Sequence, residues 1–102
     1  VEHIQQELLS QRVYVYTKKG EIIELPSGST AIDLAYKIHT ELGNKMVGAT
    51  VNDNPVDCDY ILHNKDRVRI ITDDLSLGPN IGWLDKVKTT KAKRQIKAYV
   101  KK

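Results

Sequence analysis

Apolar and polar positions alternate with a period of two at the start of the informative part of this chain and with a helical period in its middle. Val13, Val15 and Thr17 alternate with Tyr14 and Tyr16, the pattern of a strand with two unlike faces. Lys18, Lys19 and Gly20 supply a turn, and Glu21 to Leu25 is a second β-favouring run. Pro26, Ser27 and Gly28 end it, because Pro cannot donate to a ladder and Gly accepts a positive φ. An antiparallel hairpin is expected. Next comes Thr30, an N-cap residue, with Asp33 three positions on as a variant capping box. Gly43 is the matching stop signal. Between them Ala31, Leu34, Ala35, Ile38 and Leu42 fall on one side of a helical wheel, so a single helix should lay that stripe on the sheet.

Val47 to Val51 reads as a third strand, and Asn52, Asp53, Asn54 and Pro55 as a turn. Val56 to Leu62 is less regular. Asn64, Lys65 and Asp66 turn into Arg67 to Thr72, where Val68 and Ile70 alternate with Arg67 and Arg69. Strands around a single central helix in this order fit an α+β, ubiquitin-like β-grasp fold, a small mixed sheet packed on one central helix with helical flanks.

The runs R-V-Y-V-Y-T-K-K-G-E-I-I-E-L-P-S-G-S-T, A-Y-K-I-H-T-E-L-G-N-K-M-V-G-A and K-D-R-V-R-I-I-T resemble the TGS domain of the RelA/SpoT family, enzymes that make and degrade the alarmone (p)ppGpp. The resemblance continues through Gly78-Pro79, Trp83-Leu84 and Val87 to Lys93, so it covers most of the chain. Asn80, Ile81 and Gly82 depart from the family's usual Ser, Arg and Asp, and Asn44 and Met46 stand where many members have His and Cys. Nothing known of those two family side chains carries over.

Three segments are expected: residues 1–11 as a linker or the end of a preceding helix, 12–74 as the TGS domain, and 75–102 as a basic linker and the start of a following helical domain. Ile4, Leu8 and Leu9 give the first segment near-helical spacing, and the chain opens on Val1 rather than Met, which reads as part of a longer polypeptide. A hydrophobic content of 40% is ordinary for a globular chain. No apolar run approaches membrane-spanning length and no signal-peptide pattern opens the chain, so a cytoplasmic protein without membrane contact is expected. Cys58 is the sole cysteine, which excludes an intramolecular disulfide; it reads as a small buried hydrophobe rather than a redox thiol.

Charge is unevenly spread. Residues 1–82 hold eight Lys and Arg against twelve Asp and Glu, a net of −4, whereas residues 83–102 hold eight against one, a net of +7; together they make the overall +3. Lys91, Lys93 and Arg94 stand among the cations of this tail, interleaved with Ala92, Ile96 and Tyr99 at helical spacing. Such a helix either offers a basic surface to RNA phosphates or a partner, or begins a helical domain with solvated charges.

No catalytic inventory is present. There is no glycine-rich phosphate loop and no His-Asp dipeptide, and His3, His39 and His63 lack the pairing of a helical metal site. No catalytic, cofactor or metal residue is therefore expected in this segment. A ubiquitin-like carrier would need a terminal Gly-Gly, and the chain ends Tyr99-Val100-Lys101-Lys102.

What the resemblance implies is regulatory. In ribosome-bound relatives the TGS domain contacts the CCA end of deacylated tRNA, and the His of the I-H-T motif, here His39, belongs to that contact. The wheel sets His39 on a semi-exposed flank with Tyr36 and Ile32. Imidazole can stack on an unpaired base and bond to its edge or to a 2′-OH; Lys37 and Lys45 are further phosphate candidates. His39 could instead cap the core edge. Acyl carrier protein is the alternative partner that the resemblance implies. Tyr14, Tyr16, Arg67 and Arg69 are expected to share the sheet face away from the helix, either stacking on bases, keeping an open face soluble, or docking neighbouring domains of the parent enzyme. An oligomer of the isolated chain would carry doubtful meaning, since cut flanks expose apolar surface.

Overall fold

A computed structural model describes residues 12–100 of the 102-residue chain. The helix expected near Ile4 to Leu9, and the last two lysines of the tail, lie outside the described residues. Strand β1 (Arg12–Tyr16) pairs antiparallel with β2 (Ile22–Pro26), Tyr14 opposite Glu24. Gly20 closes the turn between them at φ 87°, a left-handed conformation open to glycine. Strand β3 (Met46–Val51) is central in a second sheet, flanked by β4 (Asn54–Val56) and β5 (Val68–Thr72), both antiparallel to it. A parallel bridge between Tyr16 and Arg67 joins the two sheets. The first and last strands are therefore neighbours, as the β-grasp order requires. Tyr14 and Tyr16 on β1, Arg69 on β5 and Arg67 just before it are exposed.

The β3–β4 turn is tighter than the sequence suggested. Only Asn52 and Asp53 form it, both at positive φ (53° and 72°), the requirement of a two-residue hairpin turn. Asn54 and Pro55 already belong to β4, an edge strand, where a missing N–H is tolerated.

Thr30 and Asp33 form the expected capping box: Thr30 N–H donates to Asp33 Oδ2 (2.8 Å) and Asp33 N–H to Thr30 Oγ1 (3.4 Å). The helix that follows is not continuous. It divides at His39 into α1 (Ala31–Ile38) and α2 (Thr40–Asn44). Gly43, expected as a stop signal, lies inside α2 and serves a different need, because a Cβ there would collide with the Tyr36 ring.

Nor does α1 have a single buried stripe. Ala31 through Tyr36 are all buried, since both sides of the helix are covered. On the sheet side Leu34 packs with Val13, Val15, Leu25, Val51, Leu62 and Val68. On the other side Ile32, Ala35 and Tyr36 pack with Val87, Ala92 and Ile96, of which the last two belong to α3 (Thr90–Val100). A short 3-10 turn, Ile81–Asp85, leads into this segment, and its Asn80 cap accepts the Gly82 N–H at 2.7 Å. Asn80 therefore provides a cap despite the departure from Ser at that position. Full burial of side chains such as Ile32 or Ile96 stabilises by about 1.5–3 kcal/mol each, so residues 87–96 help to hold the core together.

Candidate functional site

His39 sits at the joint between two helices. Its backbone N–H closes α1 on the Ala35 carbonyl (3.0 Å), while its carbonyl accepts the Leu42 N–H (3.1 Å) to open α2. Its φ of −164° and ψ of 140° are extended backbone. The imidazole completes the joint, with Nδ1 accepting the Glu41 N–H at 3.1 Å, an N-cap made by a ring instead of a carboxylate. Nδ1 must then keep its lone pair, so in the neutral ring the proton is on Nε2. The ring is exposed, which leaves the Nε2 edge as a donor for a ligand.

The joint brings α2 against the Tyr36 ring. In a straight helix Gly43 would lie about 10 Å along the axis from Tyr36; the break instead folds α2 back over the ring. Tyr36 is fully buried, and its hydroxyl donates to Asn44 Oδ1 at 2.9 Å. Burial, and then the Tyr99 phenol, hold its ionisation well above the ordinary tyrosine range. The expected flank shared by His39, Tyr36 and Ile32 is thus corrected: Tyr36 and Ile32 are core residues, because α3 covers the flank that a wheel for an isolated helix leaves open. Tyr36 has no surface to offer RNA.

Lys37 is exposed in the last turn of α1, beside the joint. Lys45 caps the far end of α2, but its ammonium is committed: it lies 3.1 Å from Asp74 Oδ1 and 3.9 Å from Glu41 Oε2. The hydrogen bond to Asp74, followed by the charges of Asp74 and Glu41, raises its pKa. The Lys45 carbonyl also receives the Asp73 N–H at 3.0 Å. Lys45 thus fastens α2 to the segment after β5, and the phosphate role expected for it would require breaking two ion pairs.

Lys91, Lys93 and Arg94 are exposed on α3, whose Ala92 and Ile96 are fully buried. Tyr99 stays 36% exposed, so the apolar stripe of the tail is seated at its first two positions. The basic face is therefore held at a fixed orientation to α1. Sequence reasoning missed what fixes it. Asp33 Oδ1 and Oδ2 share the backbone N–H of Lys88 (3.1 and 2.9 Å), and Oδ1 accepts that of Thr89 (2.9 Å) and its hydroxyl (2.8 Å). Thr89 Oγ1 in turn accepts the Ala92 N–H at 3.2 Å, capping α3. One buried carboxylate thus serves the N-termini of both helices, where the helix dipole favours negative charge. No helix among the described residues is long and apolar enough to cross a membrane.

Comparison with known proteins identifies the domain. The profile of the TGS domain matches residues 13–72. The chain is 44% identical along its full length to a guanosine-3′,5′-bis(diphosphate) 3′-pyrophosphohydrolase of Aquifex aeolicus, of which it covers 14%. Against a putative chloroplastic GTP diphosphokinase of Arabidopsis thaliana it is 42% identical over 99% of the chain and 12% of that protein. A GTP pyrophosphokinase of Myxococcus xanthus is 38% identical over 99% of the chain and 13% of its own length. A crystal structure of a GTP-binding protein from Pyrococcus horikoshii superposes with a TM-score of 0.58 at 27% identity, over 71% of this chain and 24% of that one. The chain spans 12–14% of the three curated relatives named. With the matched profile covering more than half of its residues, the chain belongs to the TGS domain family, and the relatives it matches along almost its entire length are RelA/SpoT-type enzymes of (p)ppGpp metabolism.

Proposed function

We propose that this chain is the regulatory TGS module of a cytoplasmic (p)ppGpp synthetase/hydrolase of the stringent response, and that it reads the CCA end of deacylated tRNA on the ribosome. The module contributes no catalytic group of its own. The observation that carries the reading is the exposed His39 ring, locked at the α1–α2 joint by the Glu41 N–H with its Nε2 edge left over. A ring fixed on one nitrogen loses little freedom when it stacks on an unpaired base, and its remaining N–H can bond a base edge or 2′-OH. Lys37, two residues before the joint, supplies a cation for phosphate.

For such binding to regulate the parent, deacylated tRNA must favour the synthesis-competent arrangement over the hydrolysis-competent one. The fixed seating of α3 on α1 supplies a rigid route from the His39 joint into the chain that follows. The test is alarmone synthesis by the full-length protein on ribosomes carrying deacylated tRNA, with His39→Ala beside wild type. We expect tRNA-stimulated synthesis to need about tenfold more tRNA in the variant, the scale of one lost stacking contact of about 1–3 kcal/mol. An unchanged tRNA dependence would remove His39 from the contact.

A further inference from the structure

One edge of the three-stranded sheet is left open beside a groove. Arg67 sends its backbone N–H to Asn52 Oδ1 (3.0 Å) and its carbonyl accepts the Asn52 N–H (2.8 Å), so its backbone polar groups point toward β3. These directions alternate along a strand. Arg69, opposite Thr50, repeats the orientation of Arg67, and the backbone groups of Val68 and Ile70 face the other way. On that side β1 reaches the strand only at the Tyr16–Arg67 bridge, where the Tyr16 N–H bonds the Asp66 carbonyl (2.8 Å). Past the bridge no strand pairs with the outer edge of β5 among the described residues.

The groove beside this edge has a volume of about 420 Å³. Ile38, Leu42 and Ile70 give it an aliphatic floor, and Lys18, Lys19 and Arg69 line it as cations, with Glu21 as the single carboxylate of its lining. Ile38 is 39% exposed there although it ends the apolar stripe of α1. None of the three cations has an ion-pair partner among the described residues.

We propose that the open edge of β5 accepts an added strand: an extended acidic peptide segment of a partner protein, its alternate apolar side chains entering the groove. Unpaired backbone groups from Ile70 onward supply the ladder, and the aliphatic floor receives every second side chain. Carboxylates of the same segment meet Lys18, Lys19 and Arg69. Residues 12–82 carry eight Lys and Arg against ten Asp and Glu, so the basic rim is a local feature and complementary charge directs an acidic segment to it. RNA is the poorer fit, because the floor holds no aromatic ring on which a base could stack. His39 is not among the residues that line the groove, and the proposal does not depend on the tRNA reading.

The test uses the 102-residue chain and two synthetic peptides of alternating Val and Glu, one plain and one N-methylated at every second backbone amide. Amide hydrogen exchange at Ile70 and Thr72 and peptide affinity are the readouts. The plain peptide should slow exchange at Ile70, and the N-methylated one should not. Lys18→Glu combined with Arg69→Glu should weaken the plain peptide by about tenfold, whereas Lys91→Glu with Lys93→Glu should leave its affinity unchanged. Equal binding of the N-methylated peptide, or equal loss in the α3 variant, would overturn the proposal. So would tighter occupancy of the groove by oligouridylate, or protection of Ile70 that grows with protein concentration in the absence of peptide.

Discussion

The Thr89 hydroxyl donates to Asp33 Oδ1 at 2.8 Å across a separation of 56 residues. Asp33 is fully buried, yet every hydrogen bond its carboxylate makes is to a donor: Thr30 N–H and hydroxyl at one helix start, Lys88 N–H, Thr89 N–H and the Thr89 hydroxyl at the other. A charge taken out of water is sustained by that many hydrogen bonds, and each donor in turn depends on the carboxylate. The residue therefore both starts α1 and seats α3.

Replacement of Asp33 by Ala should consequently cost about 3–5 kcal/mol, because several buried N–H groups lose their acceptor together. Asn should recover part of this, since it keeps one acceptor oxygen but turns an NH₂ toward other donors. Chemical denaturation of both variants checks the order. The result expected from Asp33 as a local cap alone is a loss of about 1 kcal/mol, the ordinary value for a cap.

Gly43 gives a second prediction. Its α-carbon faces the buried Tyr36 ring so closely that a Cβ has no room, and its φ is not in the left-handed region. Gly43→Ala should therefore destabilise by about 1–3 kcal/mol through overpacking, although Ala is the better helix former by about 1 kcal/mol. In the Tyr36→Leu background, where the ring is gone, the same substitution should be neutral or stabilising. Thermal unfolding of the double-mutant cycle measures this sign change; an unchanged Ala penalty without the ring would contradict the packing account.

These two residues show where sequence reasoning ends. The Thr30–Asp33 box, the β1–β2 hairpin and the cap at Thr30 depend on residues a few positions apart, so their chemistry is legible from spacing. The break at His39 is not, because Ile38-His39-Thr40 contains no Pro or Gly to announce it; it goes together with the covering of the Tyr36 ring by Gly43 and Asn44. Burial of Tyr36 depends further on α3, whose seat is set by a contact 55–56 residues from Asp33. A wheel drawn for one helix on one sheet had no means of including that second cover. His39 and Lys37 are exposed and Tyr36 is buried, and the ion pair that holds the Lys45 ammonium depends on Asp74, 29 residues away.

Cys58 supplies a chemical check on the same packing. The thiol is half-buried against the α1–α3 core, and its backbone carbonyl accepts the Ile32 N–H at 3.2 Å. Burial, followed by the charges of Asp59 and Asp57, pushes its pKa up. Since the thiolate is the reactive form, alkylation by iodoacetamide at neutral pH should be slower than that of free cysteine. The pH midpoint of the rate should lie above the free thiol's. A rate equal to that of free cysteine at neutral pH would show that this side of the core opens readily.

If the His39 ring serves RNA as proposed, as well as its own helix joint, His39→Asn separates the two roles. Asn is among the best N-cap residues, so its Oδ1 can take over the Glu41 N–H now held by Nδ1, but it has no ring to stack. The measurement is the ratio of affinities of the full-length protein for ribosomes bearing deacylated and aminoacylated tRNA, in wild type and in His39→Asn, alongside their melting temperatures. A contact through the ring should leave the melting temperature preserved and reduce the preference for deacylated tRNA by about tenfold. An Asn variant that keeps both its stability and its full preference would mean that His39 is only a cap.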